Sequence, residues 1–267
     1  MTEGLNLGPF LVRWNGMFIA LGIAIGAVLA ALEAERRLRD MEIVYYLFLP
    51  LTVWGWIGAR LWHIFTPPLS SVRLGLTTEY YLSHPLDILA VWTGGFGLPG
   101  AILGGTFALW LFAHKYQLSF WGIADALAPG LAAALAIGRA GNYFNQELYG
   151  LPTTLPWGIF IDPSHRIPGY EQAEIFHPLF AYESILCFLI AVLLWQMARG
   201  RFSGFLKPGH IFLLFLILYS VVRFLLEFLR LDTAIVGGFN INQVFFALLF
   251  FVASGMILFR HRNAQIL

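Results

Sequence analysis

The sequence is poor in charged residues. Asp, Glu, Lys and Arg make up 12% of its 267 residues, whereas soluble domains average about a quarter. Hydrophobic residues account for 59% of the chain and the mean hydropathy is +0.74, which suits lipid rather than water as the solvent. The formal net charge of +1 provides no basic face for nucleic acid, so we expect no nucleic-acid partner.

Patterns for metals and cofactors are also missing. The single cysteine, Cys187, lies in an apolar run, which excludes an intrachain disulfide framework and a cysteine-based metal site. The sequence contains no zinc-type His/Glu spacing, Walker loop, serine-centred elbow or haem motif, so we predict neither a metal nor a cofactor. Glu3 and the late Arg13 make the N-terminus a poor cleaved signal peptide, and we expect the first helix to be retained.

Long apolar segments predict an all-α, polytopic membrane protein with seven transmembrane helices. The predicted spans cover residues 14–32, 45–65, 88–113, 117–137, 178–197, 210–228 and 241–259. We expect a single integral membrane domain over residues 1–267, with its longest loop at about 142–177. The positive-inside rule places the N-terminus and this loop outside and the C-terminus in the cytoplasm. The cytoplasmic charges would be Arg36, Arg37, Arg39, Lys115, Arg199, Arg201, Lys207, Arg260 and Arg262.

The third predicted span is rich in glycine and proline. Such residues break or bend a helix, and lipid does not tolerate bare backbone, so we expect this helix to be discontinuous and packed inside the bundle. Gly94 and Gly95 begin the glycine-rich part and could let the backbone approach a bulky substrate closely. Tight helix packing through small residues is the alternative explanation.

Six ionisable residues interrupt the apolar segments. An ionised group near the centre of a membrane helix costs about 2.5 kcal/mol or more, so each is a candidate functional residue. Snorkelling or a structural ion pair is the alternative for any one of them, but it does not readily explain all six. They are Arg60, Asp125, Arg139, Glu183, Arg223 and Glu227.

The densest polar cluster is GRAGNYFNQELYG, residues 138–150, at the end of the fourth span. Arg139, Asn142 and Asn145 follow one another at i, i+3 spacing, so one helix face would present a guanidinium group and two amides. This combination suits a phosphate oxyanion. An ordinary capped helix end is the alternative, because Asn and Gly are common there.

Two further polar groups lie later in the chain. A stripe on the sixth span, at i, i+4, i+8 and i+11, is formed by Tyr219, Arg223, Glu227 and Arg230. These side chains could bind an anion. Alternatively, the stripe is explained by an ion pair of Glu227 with Arg223 or Arg230. His177 begins the segment HPLFAYE before the fifth span. It could act as a general base, begin the helix, or be an interfacial polar residue.

The chain resembles the prolipoprotein diacylglyceryl transferase family. GRAGNYFNQELYG matches every fixed position of the family pattern G-R-x-G-N-[FY]-x-N-x-E-x-x-G. The order of the other segments also agrees over nearly the whole chain: RWNGM, GARL, VWTGG, GLPG, DALAP, His177-Pro178 with Tyr182-Glu183, the Tyr219–Arg230 stripe and Asn242-Gln243.

The resemblance implies a seven-helix enzyme of the bacterial plasma (inner) membrane. Such an enzyme transfers the diacylglyceryl group of phosphatidylglycerol to the lipobox cysteine thiol of a prolipoprotein signal peptide, forming a thioether and releasing glycerol phosphate. Membrane lipid and the signal peptide would be its partners. By position, the resemblance implies functional roles for Arg139, Asn142, Glu147, Gly150, Tyr219 and Arg223. We add Asn145, Glu227, Gly94 and Gly95 as substrate-binding candidates and His177 as a catalytic candidate.

Two positions depart from the family pattern. Pro99 stands where the family usually has histidine in a G-G-x-x-x-H-G segment, and Asn15 stands where it usually has tyrosine. Proline exchanges no side-chain proton. If the thiol's proton is taken by another group, His177 is the candidate visible in the sequence. The alternatives are a non-catalytic relative that binds phospholipid or signal peptide, and a transporter, since broken helices and buried charges also occur there.

Overall fold

The structure of the protein, a computed structural model, describes residues 4–8, 10–90, 94–200 and 206–262. Its helices are α1 (Trp14–Leu38), α2 (Glu42–Phe65), α3 (Leu69–Arg73), α4 (Thr78–Ser83), α5 (Pro85–Ile88), α6 (Leu98–Lys115), α7 (Phe120–Phe144), α8 (Leu179–Arg199), α9 (His210–Leu226) and α10 (Ile241–Arg262). Short strands form three antiparallel hairpins: β1 (Gly4–Leu7) with β2 (Phe10–Arg13), β3 (Ile159–Phe160) with β4 (Ile175–Phe176), and β5 (Ile235–Val236) with β6 (Phe239–Asn240).

Six helices of the described residues are long and apolar enough to cross a membrane, as an all-α polytopic membrane protein requires. They are α1, α2, α7, α8, α9 with the 3₁₀ turn that follows it, and α10. Helix α6 is not one of the six, although its 18 residues reach about 27 Å at 1.5 Å per residue. Large apolar side chains are exposed on the outside of the bundle, among them Leu49, Phe188 and Phe251, as expected for helices that lipid surrounds.

Helix pairs pack closely through small residues. Helices α1 and α7 cross where Gly26 meets Gly130, and a Cβ atom added at Gly26 would lie 2.6 Å from the carbonyl oxygen of Gly130. Helices α2 and α6 approach in the same way, with Gly58 against Gly100. Close backbone contact of this kind replaces the hydrophobic driving force that lipid does not supply between helices. The packing of α1 against α7 and of α6 against α2 fixes α7 and α2 beside the cavity described below.

The third predicted span, residues 88–113, is wrong in its first part. Helix α5 ends at Ile88, residues 94–97 are not helical, and α6 begins only at Leu98. Pro99 lies in the first turn of α6, where its missing N–H removes no helical hydrogen bond. The run of glycines before it favours a turn, since Gly94 and Gly95 have φ values of +82° and +77°. The helix also packs at the side of the bundle, because Leu103, Phe107 and Trp110 are exposed.

The fourth predicted span ended too early. Helix α7 continues past residue 137 to Phe144, so Arg139 and Asn142 lie on the helix, as their i, i+3 spacing indicated. Hydropathy ends a span at the first charge, but a helix continues where that charge has a buried partner. The end of α7 is therefore a place where a polar site is built into the bundle.

The loop between α7 and α8 has a small core of its own, formed by Tyr149, Ile161 and Phe176. The Tyr149 hydroxyl donates to the carbonyl oxygen of His165 at 2.6 Å and accepts the Ile167 N–H at 2.8 Å. Burial raises the pKa of this tyrosine, which keeps it a neutral donor. The loop is thus a folded part of the protein, held against the ends of α7 and α8.

Candidate active site

Glu183 on α8 is the centre of a buried ionic cluster. Its carboxylate accepts hydrogen bonds from Arg139 Nη2 on α7 at 3.0 Å and from Arg223 Nη1 on α9 at 3.0 Å. The hydroxyl of Tyr219, one turn before Arg223, donates to the same carboxylate at 2.8 Å. Glu183 is completely buried, so these bonds offset the desolvation of its charge. Three helices are tied together at one point.

The cluster continues toward α10 and α2 through Glu227, which lies in the 3₁₀ turn after α9. Its carboxylate accepts from Arg223 Nη2 at 3.3 Å and from Asn242 Nδ2 at 3.2 Å, and it lies 3.8 Å from Arg230 Nη1. The side-chain oxygen of Asn242 accepts from Trp62 Nε1 at 3.2 Å. One chain of hydrogen bonds therefore connects α2, α10, α9, α8 and α7.

A cavity of about 620 Å³ opens beside this chain of hydrogen bonds. Among the described residues that line it, the charged groups are Arg139, Arg223, Arg230 and Asp232. Glu183 and Glu227 lie behind this wall, and the Asp232 carboxylate accepts from the N–H and hydroxyl of Ser70 at 2.9 and 2.7 Å. The wall therefore carries an excess of positive charge, which suits an anion.

Several guanidinium donors in the wall are unused. A guanidinium group has five N–H donors, and within the described residues the Nε atoms of Arg139 and Arg223 are buried without a hydrogen-bond partner. A buried donor without a partner costs about 1–3 kcal/mol. These two Nε atoms are buried from the cavity as well as unpaired, so a ligand with acceptor oxygens would meet the exposed edges of the guanidinium groups instead.

Two apolar pockets adjoin the polar cavity. One, of about 280 Å³, shares Leu51, Gly55, Leu98 and Ala101 with it and extends toward α9. The other, of about 220 Å³, shares Ile23, Leu51 and Thr52 with it and runs between α1, α2 and α7. The cavity therefore has one polar end and two apolar extensions.

The structure brings together part of the set that the sequence suggested. Arg139, Tyr219, Arg223 and Glu227 belong to one hydrogen-bonded cluster. Arg139 and Arg223 were predicted as phosphate ligands, and both contact Glu183. Their helices lie far apart in sequence, so tertiary packing alone produces this arrangement.

The rest of the GRAGNYFNQELYG motif points elsewhere. Asn142, Asn145 and Glu147 are not among the described residues that line the cavity. The Asn142 carbonyl accepts the backbone N–H of Glu147 at 3.0 Å, and Asn145 Nδ2 lies 3.5 Å from the exposed Glu147 carboxylate. These residues form the turn that ends α7, in agreement with the alternative of a capped helix end. Their substrate-binding roles stay predictions.

Gly150 and His177 meet in the backbone. The Gly150 N–H donates to the His177 carbonyl at 2.8 Å, and a Cβ atom at Gly150 would lie 2.8 Å from the Leu229 carbonyl oxygen. Glycine is thus required for close packing beside Arg230. The His177 ring lies outside the cavity wall, with Nδ1 3.1 Å from the Tyr182 hydroxyl, which accepts from Trp157 Nε1 at 2.8 Å.

Arg60 explains much of the glycine-rich segment. Its guanidinium group donates to the carbonyl oxygens of Gly94, Asp87 and Ile88 at 2.6, 2.6 and 3.0 Å, and to Gly95 at 3.3 Å. A Cβ atom at Gly95 would lie 2.7 Å from both the Arg60 and His63 side chains. Arg60 therefore holds the segment in place, and the described contacts of the two glycines are with the protein itself.

Sequence reasoning missed the contribution of α2. His63 and Trp62, neither of which was among the candidate site residues, both line the cavity. Asp232, from the segment between α9 and α10, and Asn242, in the first turn of α10, also line it. One signal was present: small and polar residues recur at helical spacing along α2, and all of these face the cavity. They are Thr52, Gly55, Ala59, His63 and Thr66.

The bundle defines a polytopic membrane protein with an arginine-lined cavity and adjoining apolar pockets. Comparison with known proteins specifies the family. The family model described as prolipoprotein diacylglyceryl transferase matches residues 3–259. The chain therefore belongs to the prolipoprotein diacylglyceryl transferase family.

Curated relatives agree over most of the chain. A phosphatidylglycerol–prolipoprotein diacylglyceryl transferase of Synechococcus elongatus is 40% identical over 244 residues, which are 90% of this chain and 80% of the relative. A protein of the same name from Cutibacterium acnes is 38% identical over 258 residues, covering 96% of this chain and 83% of the relative. A third, from Trichormus variabilis, is 36% identical over 242 residues, covering 90% and 82%.

Proposed function

We propose that this protein is an enzyme that transfers the diacylglyceryl group of phosphatidylglycerol to the lipobox cysteine of prolipoproteins, in the plasma membrane of a bacterium. The observation that carries the proposal is the junction of one arginine-lined cavity with two apolar pockets inside the bundle. The names of the bacterial relatives support the same substrates.

The arginines would hold the phosphodiester. Arg139, Arg223 and Arg230 carry three positive charges against the two buried carboxylates Glu183 and Glu227 with which they pair. With Asp232, the carboxylate in the cavity wall, the positive and negative charges balance, so guanidinium donors facing the cavity rather than a net charge would hold the phosphodiester. The exposed guanidinium edges of Arg139 and Arg230, whose side chains are 22% and 27% exposed, would donate charge-assisted hydrogen bonds to phosphate oxygens. Tyr219 would orient the arginines through Glu183.

The apolar pockets would hold the two acyl chains. Each pocket shares its lining with the polar cavity, so a lipid with its phosphate at the arginines could send one chain into each. Burying methylene groups there costs nothing relative to the bilayer, which is equally apolar. The pockets would therefore contribute orientation of the substrate more than affinity.

The reaction would be a displacement at carbon. The cysteine thiol loses its proton, and the sulfur attacks the glyceryl carbon that carries the phosphate. A carbon–sulfur bond forms as the carbon–oxygen bond breaks, and glycerol phosphate leaves with the electron pair. Negative charge grows on the departing phosphate, so preorganised guanidinium groups stabilise the transition state more than the ground state.

The proposal includes the topology expected from the sequence. With α6 as a seventh span, the N-terminus and the 145–178 loop lie outside and the C-terminus lies in the cytoplasm. The loop then sits at the outer surface, where a signal peptide arrives, and Gly150 joins it by an isolated β-bridge to Arg230 at the cavity wall. The peptide would approach from this side.

The proposal is tested with purified protein in phosphatidylglycerol-containing micelles, with a lipobox peptide as acceptor. Wild-type protein should bind the lipid and convert the peptide, whereas Arg223→Lys should bind more weakly and convert little, because a point ammonium cannot replace the fork of donors. Lipid binding without conversion by the wild type would instead support a non-catalytic relative. If Arg223→Lys binds the lipid and converts the peptide as well as wild type does, the proposed site is wrong.

A further inference from the structure

The cavity contains one imidazole. His63, near the end of α2, is the histidine among the described residues that line it, and its side chain is mostly buried. The ring packs edge-on against Tyr81, with centroids 6.0 Å apart, and rests on Gly95. Any side chain at position 95 would occupy the space of the ring. The position of His63 is therefore defined by packing.

The ring nitrogens of His63 are unused. Within the described residues, neither ring nitrogen makes a hydrogen bond. Neither is among the side-chain polar atoms that are both unpaired and buried from the cavity. His177 differs on both counts, since its Nδ1 is engaged by Tyr182 and its ring lies outside the cavity. A proton acceptor needs a free lone pair that faces the reactant. His63 meets this requirement and His177 does not.

The charged neighbours of His63 are few. Arg60 on the same helix is occupied by four carbonyl oxygens, and Tyr81 on α4 presents its ring. Across the cavity, the wall presents Arg230 and the Asp232 carboxylate that Ser70 holds. Pro99, also in the wall, has no exchangeable side-chain proton.

We propose that His63 is the general base that accepts the proton of the lipobox thiol, an inference that rests on the proposed function. The S–H bond breaks toward an imidazole nitrogen, the sulfur keeps the electron pair and attacks the glyceryl carbon, and glycerol phosphate departs. The imidazolium then passes its proton to bulk water or to the departing phosphate. No oxidant or further reactant is required.

The test compares His63→Gln with wild type across pH, using the same lipid and peptide. A cysteine thiol has a pKa of about 8.5, so little thiolate exists at about pH 6.5 and most of the thiol is ionised at about pH 9.5. We expect the transfer rate of His63→Gln to fall about 100-fold at the lower pH and less than about 10-fold at the higher. His165→Gln, an exposed histidine of the loop, is the control and should match wild type.

A second acceptor separates proton transfer from structure. A peptide with selenocysteine in place of the lipobox cysteine carries a selenol, which is already ionised at neutral pH. His63→Gln should use it about as fast as wild type does. His63→Asn serves as a second variant where His63→Gln folds poorly. A variant that binds phosphatidylglycerol as wild type does but stays slow on both peptides would overturn the proposal.

The remaining outcomes are equally distinct. An unchanged rate for His63→Gln at every pH excludes His63, and a pH-selective defect in His177→Gln alone would assign the proton to that residue. If the wild type converts neither peptide in the presence of phosphatidylglycerol, the proposed function itself fails, whatever the His63 variants do.

Discussion

Replacing Glu183 with glutamine removes one negative charge from the centre of the ionic cluster. Two guanidinium groups, from Arg139 and Arg223, lie 3.0 Å from this carboxylate, and the carboxylate is completely buried. Removing one partner of a buried ion pair costs about 3–5 kcal/mol. Glutamine keeps one acceptor oxygen for the Tyr219 hydroxyl, so we expect a loss near the lower limit, about 3 kcal/mol in the free energy of unfolding.

Thermal unfolding in detergent micelles, followed by tryptophan fluorescence, measures this loss. A change of about 3 kcal/mol corresponds to a fall in Tm on the order of 10 °C. Glu174→Gln is the matched control, because this glutamate is exposed in the loop, and surface changes stay within about 0.5 kcal/mol.

A double variant tests the mechanism of the loss. If Glu183→Gln is harmful because it strands Arg139, then adding Arg139→Gln should restore part of the stability, and the two changes together should cost less than their sum by about 1 kcal/mol or more. A Glu183→Gln protein as stable as wild type would refute the idea that this carboxylate compensates buried guanidinium charge.

Three further predictions concern the substrate, the topology and the packing. Arg139→Lys and Arg223→Lys should each lower kcat/KM at least about 10-fold while the protein stays folded, because lysine lacks the two-pronged donor geometry; full activity of either in the transfer assay would exclude it as a phosphate ligand. Cysteines introduced at Ser164 and Asp40 should label oppositely in intact cells with an impermeant reagent, and labelling at Asp40 would invert the topology. Gly26→Leu should separate α1 from α7 and lower the Tm by several degrees, since its Cβ atom alone would lie 2.6 Å from a carbonyl oxygen; an unchanged melting curve would show that the helices do not pack there.

The helices that cross the membrane could be predicted where most residues of a long segment are apolar. Predicted spans at 178–197 and 210–228 correspond to α8, Leu179–Arg199, and to α9 with its 3₁₀ turn, which ends at Leu229. Hydropathy succeeds there although Glu183, Arg223 and Glu227 interrupt these segments, because their other residues are almost all apolar. It fails at the end of α7, because Arg139 has a buried partner on another helix, and sequence distance does not reveal that partner.

The candidate site was predictable in its residue types but not in its arrangement. The cost of burying a charge identified Arg139, Glu183 and Arg223, since that cost applies to each residue alone. Which oxygen each guanidinium contacts depends on how α7, α8 and α9 pack. The same holds for His63: helical spacing along α2 could have indicated its side of the helix, but its contacts with Gly95 and Tyr81 come from separate segments.

The central claim is that one cavity carries out the whole transfer from phosphatidylglycerol to cysteine sulfur. Mass spectrometry of the lipobox peptide, with parallel measurement of released glycerol phosphate, tests it most directly. The account predicts a peptide heavier by one diacylglyceryl group in thioether linkage at cysteine, with one glycerol phosphate released for each peptide modified, and neither product when Arg223 is replaced by glutamine. An unmodified peptide after incubation with folded, lipid-bound wild-type protein would contradict it.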